Sequence, residues 1–191
     1  MPQLRTVATR LLALLALAVL IVFGNSAPAS GQELQATEYR VKAAFIFKFG
    51  DYIEWPAEAF RSPSSPLVIG VVGADAIADE LARLSAGRVV GERPVVVRKL
   101  RHGEPLSGLH MIFIGRTSAA QLSAALAASK GQPALTIAEA EDGLRLGSMI
   151  NFVIVSDKVR FDVALSPAEA SRLKISSRLL AVARNVVAPA P

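Results

Sequence analysis

Apolar and polar positions alternate along the chain in blocks that predict strands and helices in turn. Leu67 to Val72 is an apolar, largely β-branched run closed by Gly73, which is typical of a strand buried on both faces. A helical pattern follows from Asp75 to about Ser85. Two further strands are predicted at Pro94 to Leu100 and at Leu109 to Ile114.

The middle of the chain continues this alternation. Ser118 and Gln121 form a capping box at the start of an Ala- and Leu-rich helix that ends near Gly131. Ala134 to Ala138 is a short strand. Because strands that alternate with helices are the signature of layered α/β domains, the sequence predicts a largely parallel sheet flanked by helices.

The last third of the chain has a different pattern. Asn151 to Val155 and Val159 to Val163 flank a tight Ser156-Asp157-Lys158 turn, which predicts an antiparallel hairpin. Ser166-Pro167-Ala168-Glu169 predicts a helix whose N-cap is the serine. A final helix is expected from about Ser177 to Asn185. The predicted fold is therefore α/β with a C-terminal antiparallel hairpin.

The first predicted helix, from Thr37 to about Ile53, is unusually apolar. Ile46 and Phe47 widen its apolar surface beyond one face. Its main stripe consists of Val41, Ala44, Phe45, Phe49 and Tyr52. Such a helix is either deeply buried or shared with a partner. Trp55-Pro56 ends it, because the residue before a proline is disfavoured in helical geometry.

The N-terminal segment has the three parts of a cleavable secretion signal. Arg5 and Arg10 supply positive charge, and Leu11 to Phe23 is an apolar run of 13 residues. A helix that spans a bilayer needs about 20 such residues. Ala27 and Ala29 fit the cleavage site, so residues 1–29 are a predicted signal peptide and residues 30–191 a single domain. An uncleaved N-terminal anchor is the alternative.

Charge and cysteine content narrow the classes of function. Loss of residues 1–29 removes two arginines and lowers the formal net charge from +5 to +3, and no Lys/Arg run of the kind that binds nucleic acid is present. The chain has no cysteine. Disulfides, thiol catalysis, cysteine metal sites and a lipoprotein tether are therefore excluded.

No motif for catalysis or for a cofactor is apparent in the chain. His102 and His110 lack the close-spaced partners of a zinc site and are interpreted as ordinary surface histidines. Gly70 and Gly73 lack the rest of a dinucleotide-binding pattern, and the Glu139, Glu141 and Asp142 cluster is interpreted as a solvated turn. We therefore expect a protein that is not an enzyme and binds neither metal nor cofactor.

Aromatic residues concentrate in one segment of a chain with few rings, which suggests an interface. Phe47 and Trp55 leave the main helical stripe and are predicted to contact a partner through exposed apolar surface. Lys42 and Arg178 are predicted at the rim of that surface. For Phe45 and Phe49 we favour packing in the core.

Two segments together resemble the YfiR family of exported bacterial proteins. Glu38 to Phe49, followed by Trp55-Pro56, is similar to the opening of that family. Its closing motif is matched by Gly147 to Phe152, Val159-Arg160-Phe161 and Leu173 to Leu180. The resemblance spans about residues 36–187. Ala164 departs from it, because such proteins often carry asparagine after the last strand.

The resemblance implies a periplasmic, non-catalytic regulator. Members of this family bind the periplasmic part of a membrane-bound diguanylate cyclase and hold it inactive, which controls cyclic-di-GMP and biofilm formation. The resemblance also implies a homodimer and an outer-membrane lipoprotein as a second partner.

A periplasmic receptor for a small ligand is the alternative function. Its pocket would lie at the carboxyl ends of the parallel strands, near Gly73 and Gly115.

Overall fold

A computed structural model describes residues 29–188, with side chains described from residue 31. Most of the predicted signal peptide therefore lies outside the described residues. The chain divides into two units at Ala36/Thr37, and the described part of the first unit is helical. None of the helices in the described chain combines the length and the hydropathy of a membrane span.

The described residues form five α-helices and ten strands. The helices are α1 Ala29–Phe49, α2 Asp75–Ser85, α3 Ala119–Ser129, α4 Leu165–Ala170 and α5 Ser177–Leu180. The strands are β1 Ile53–Glu54, β2 Leu67–Val72, β3 Val89–Val90, β4 Arg93–Leu100, β5 Met111–Ile114, β6 Leu135–Ala138, β7 Ile150–Val155, β8 Lys158–Ala164, β9 Lys174–Ile175 and β10 Asn185–Val187. Short 3₁₀ turns follow α1 and β1, at Gly50–Tyr52 and Ala57–Ala59.

Eight of these strands form the main sheet, in the order β10-β8-β7-β6-β5-β2-β4-β3. Strands β4, β2, β5, β6 and β7 are parallel to one another. The β7–β8 pair is antiparallel, as is the short β3–β4 pair. This arrangement confirms the predicted fold class of a largely parallel sheet with helices and a C-terminal hairpin.

Alternate residues of the central strands supply two cores, one on each face of the sheet. In β5, Met111 and Phe113 pack into the core that includes α1 and α2, whereas Ile112 and Ile114 pack into the core that includes α3. Side chains of successive strand residues point to opposite faces, so a strand that is apolar throughout must be covered twice. This requirement explains why β5 and β6 are buried at every position.

The first helix differs from its prediction at both ends. It begins at Ala29, so Thr37 lies inside the helix and is not its N-cap. It ends at Phe49, and Ile53 belongs to β1. The buried face also differs, because Ala43, Ile46 and Phe47 are buried whereas Val41 is exposed.

The C-terminal elements also differ in part from their predicted bounds. The hairpin is confirmed, with positive φ angles at Ser156 and Asp157 in its turn. Helix α4 begins at Leu165, so Ser166 is not the N-cap; that position is Ala164, which has no side chain able to cap. Helix α5 ends at Leu180, and Asn185, the predicted end of that helix, is the first residue of the edge strand β10.

Candidate functional site

The two sequence motifs meet in a small antiparallel sheet formed by β1 and β9. Ile53 pairs with Ile175 and Glu54 with Lys174. The amide of Ser176 donates a hydrogen bond of 2.9 Å to the carbonyl of Tyr52, which extends the contact. Segments that are distant in the sequence therefore form one continuous surface.

An aromatic cluster in the core joins the same motifs a second time. The ring of Phe49 on α1 lies 5.0 Å from that of Phe161 and 5.8 Å from that of Phe152, both on the C-terminal hairpin. Phe45 lies 5.5 Å from Phe161. Offset and edge-to-face aromatic pairs add stabilisation beyond the area that they bury. Core packing of Phe49 is confirmed, and Phe45 is half-buried against the same core.

Trp55 begins a stack of side chains beside β1. Its ring meets Phe60 edge-on with 6.2 Å between centroids, and its indole Nε1 donates a hydrogen bond to the carbonyl of His110 at 3.2 Å. Phe60 lies between the His110 ring at 4.3 Å and the Arg93 guanidinium at 3.7 Å. Trp55 itself is half-buried, so part of its ring is accessible. The stack holds that ring in a fixed orientation.

His110 is a buried structural histidine, not the surface residue that we expected. Its Nδ1 accepts a hydrogen bond from the amide of Val68 at 3.0 Å, so its Nε2–H is the donor to the carbonyl of Ala59 at 3.1 Å. Burial lowers the pKa of His110; the Ala59 carbonyl opposes this shift and the charge of Arg93 adds to it. The neutral ring therefore ties β2 to the segment that carries Phe60.

Arg178 is exposed on α5, as expected. Because the β1–β9 ladder is antiparallel, Arg178 and Trp55 follow their strands in opposite directions and emerge at opposite ends of the ladder. Ion pairs of exposed residues lie along the same surface, between Glu54 and Lys174 at 3.9 Å and between Glu58 and Arg172. The surface thus offers both an aromatic ring and charged groups.

The expected exposure of Phe47 is wrong. Its side chain is only 4% exposed and belongs to the core. Two cations lie over its ring, with Lys48 Nζ at 5.9 Å and the Arg88 guanidinium at 6.0 Å from the ring centroid. Arg88 comes from the connection between α2 and β3, which the helical pattern of α1 could not reveal.

The expected position of Lys42 at an exposed rim is also wrong. Its side chain is 0% exposed, and its Nζ contacts carboxylates of Glu38 and, at 2.7 Å, Glu139. Arg116 bridges the same two carboxylates, with distances of 2.9 Å to Glu38 and 2.5 Å to Glu139. Glu139 and Arg116 follow β6 and β5, so this network fastens α1 to the carboxyl edge of the sheet. Participation of these residues in partner binding stays a prediction.

Cavities lie at both ends of the central strands of the sheet. One of about 270 Å³ lies at the carboxyl ends of β2 and β5 and is lined by Tyr39, Gly73, Gly115 and Arg116, among others. After β2 the chain continues to β4 on one side, and after β5 it continues to β6 on the other side. In open α/β sheets, ligands often bind at the point where the strand order reverses in this way. The second, of about 780 Å³, is an open groove beside the aromatic stack.

Residues 29–188 do not place three His, Asp or Glu side chains together in a way that could hold a metal ion. The motifs instead converge on a surface of an aromatic ring and charged side chains, which packs against the aromatic core. These features define an α/β domain with a candidate surface for binding another protein.

The chain belongs to the YfiR/HmsC-like family, whose model matches residues 39–184. Members of this family are periplasmic regulator domains and are generally not catalytic. A comparison with curated proteins finds no match.

Proposed function

We propose that this protein is a periplasmic repressor that binds the periplasmic domain of a membrane-bound diguanylate cyclase and holds the enzyme inactive. Loss of the protein would then raise cytoplasmic cyclic-di-GMP and increase biofilm formation. An outer-membrane lipoprotein that competes for the repressor, and assembly of the repressor into a homodimer, belong to the same proposal.

The family membership of residues 39–184 carries this proposal. The β1–β9 ladder supports it, because it joins the two motifs on one surface. Trp55 and Arg178 are of the residue types that contribute most to protein interfaces. We place the partner contact on this surface, with Trp55 beside the open groove and Arg178 at the other end of the ladder.

A pull-down from a detergent extract of the host's membranes tests the proposal. The affinity-tagged protein should enrich a diguanylate cyclase, identified by mass spectrometry. Arg178→Glu should reduce that enrichment by about tenfold, since reversal of a charge at an interface costs on the order of 1.4 kcal/mol or more. Arg178 is exposed and forms no ion pair among the described residues, so we expect this change to leave the fold intact.

Arg160→Glu is the matched control, because Arg160 is also exposed but lies on β8 of the C-terminal hairpin. This variant should capture as much cyclase as the unchanged protein. Absence of any cyclase from the captured material would refute the proposed function. An equal loss with Arg160→Glu would refute the proposed surface.

The second candidate function is that of a receptor that binds a small ligand, and the cavity near Gly73 and Gly115 favours it. Ligand binding at this position stays a prediction. A thermal-shift screen with amino acids, nucleotides and lipids separates the two functions, since a ligand of the folded state raises the melting temperature by mass action.

A further inference from the structure

Strand β4 has a long free edge. It contains eight residues, Arg93–Leu100, and its inner side pairs with β2 from Val95 to Leu100. On its outer side, β3 pairs only with Arg93 and Pro94. Among residues 29–188 no strand pairs with the outer side of the remaining six residues. An edge of this length is a template for another strand.

The backbone groups on that edge can be assigned to particular residues. The Leu100 carbonyl accepts a hydrogen bond of 3.0 Å from the amide of Gly73, so Leu100 directs its backbone towards β2. Alternate residues of a strand direct their N–H and C=O groups to opposite sides. Val95, Val97 and Lys99 therefore present their backbone groups outwards. Val97 and Lys99 lie beyond the β3 ladder, so their outward donors and acceptors are free among the described residues to pair with an extended segment.

An apolar groove runs beside the same edge. It has a volume of about 340 Å³ and lies between β4 and the last turn of α2. Its floor includes Val95 and Val97, and Ala82 and Ala86 leave space on the helical side. Val89, which is 54% exposed, stands at its rim. A groove between an edge strand and a helix suits strand addition, in which alternate side chains of the bound segment enter the pocket.

The charges around this edge favour an acidic segment. Lys99 is paired with Asp79 at 2.7 Å, and Arg101 with Glu104 at 2.8 Å. Arg88 and Arg98, in contrast, have no carboxylate within 4.0 Å in the described part of the chain. Arg88 lines the groove, and Arg98 lies on the free stretch of β4. These two cations lie at positions where carboxylates of a bound segment could meet them.

We propose that the outer edge of β4, with the groove against α2, binds an extended acidic segment of another protein by adding it to the sheet as a further strand. The bound segment places apolar side chains over Val95 and Val97 and carboxylates near Arg88 and Arg98. This site lies on a different sheet edge from the β1–β9 surface, so it extends the proposed function and does not depend on it.

Hydrogen exchange of the ¹⁵N-labelled protein, expressed as the full chain and purified from the periplasm, tests the site. The probe is a capped synthetic peptide in which valine and threonine alternate and glutamates stand at both ends. At about ten times its Kd, the peptide should slow exchange of the Val97 and Lys99 amides about tenfold, since protection grows with ligand concentration by mass action. The amides of Val96, Arg98 and Leu100 already face β2 and should change little.

Two variants distinguish strand addition from non-specific electrostatic attraction between the peptide and the protein. Val97→Pro removes one outward N–H and should abolish the protection; edge strands accept proline where the N–H faces outwards. Arg98→Glu keeps the backbone and should weaken binding of the glutamate peptide roughly tenfold, whereas Val96→Thr, on the same face of β4 but without a change of charge, should not.

Protection by an otherwise identical peptide with lysines in place of glutamates would overturn the assignment of an acidic partner. Slow exchange that appears without peptide and increases with protein concentration would show that a second copy of the chain occupies the edge. That result would also overturn the assignment of an acidic partner. Lack of protection by either peptide would refute the site.

Discussion

Lys42 shows what a sequence pattern can conceal about a single residue. A lysine on a helix normally keeps its ammonium group in water, and that rule placed Lys42 at the rim of an interface. In the structure it is fully buried because Glu38 and Glu139 contact it. Glu38 lies one helical turn away and could have been anticipated. Glu139 lies 97 residues along the chain, and no local pattern could indicate that contact.

The burial of Lys42 predicts a marked loss of stability when it is replaced. Lys42→Met should lower the free energy of unfolding by about 3 kcal/mol, since it removes a fully buried cation from two half-buried carboxylates and leaves them insufficiently compensated. Lys48→Met is the matched control: Lys48 is on the same helix, 62% exposed, and paired with Asp51 at 2.9 Å. That change should cost less than about 1 kcal/mol. Urea unfolding measures both, and equal losses would contradict the structural role of Lys42.

The burial of His110 predicts that the free energy of unfolding falls when the pH becomes mildly acidic. Because burial lowers the pKa of His110 in the folded state, the unfolded chain takes up a proton first as the pH falls. The contribution of His110 to stability is complete above about pH 6.5, the usual histidine pKa, and is lost as the pH falls below it towards the lowered pKa. Urea unfolding between about pH 7.5 and 5.5 should show this loss for the unchanged protein.

His110→Gln should flatten that pH dependence, because it removes the titrating group. His102→Gln changes the other histidine and serves as the control. The interpretation fails if the His110 variant keeps the full slope, or if the slope disappears in the His102 variant instead.

At the scale of elements, local signals specified the centre of the chain better than its ends. Helix α2 matches its predicted range, and Ser118 accepts the hydrogen bond from the Gln121 amide that the capping box predicts. Strands β1, β9 and β10 were missed because each has only two or three residues. Strands so short are defined by the neighbour with which they pair, not by periodicity.

Strand β10 remains on the sheet through a side-chain clamp. Arg184, just before the strand, donates two hydrogen bonds to the Asp162 carboxylate, one of them 2.7 Å long. Asp162 lies on β8 directly opposite Asn185. A two-pronged arginine–carboxylate contact fixes geometry as well as charge. The clamp therefore sets where the terminal strand joins its neighbour.

Arg184→Met should release β10 while leaving the rest of the sheet folded. Amide exchange of Asn185, Val186 and Val187 should accelerate about tenfold or more, as expected for a local opening. Arg145→Met is the matched control, because Arg145 makes a similar two-pronged contact with Asp142 on an exposed turn. Unchanged exchange at β10 in the Arg184 variant would contradict the clamp.

Considered as a whole, the molecule could be assigned to its fold and family from the sequence, but its candidate binding surface could not. The alternation of strands and helices predicted the sheet, and the two motifs predicted the family. Phe47 and Trp55 looked equivalent because both leave the apolar stripe of α1. Only the tertiary structure distinguishes them: Phe47 is covered by α1's neighbours, whereas Trp55 is held partly open by Phe60 and His110.

The β1–β9 ladder also has a consequence for how the chain reaches its folded state. Ile53 pairs with Ile175, a residue that is synthesised 122 positions later. Contacts between such distant positions slow folding, because the intervening chain must be ordered before they form. Until the C-terminal hairpin arrives, Phe45 and Phe49 have no partners among its rings. A nascent chain therefore exposes its most aromatic segment until the C-terminal hairpin has been synthesised, and this exposed apolar surface favours aggregation during that time.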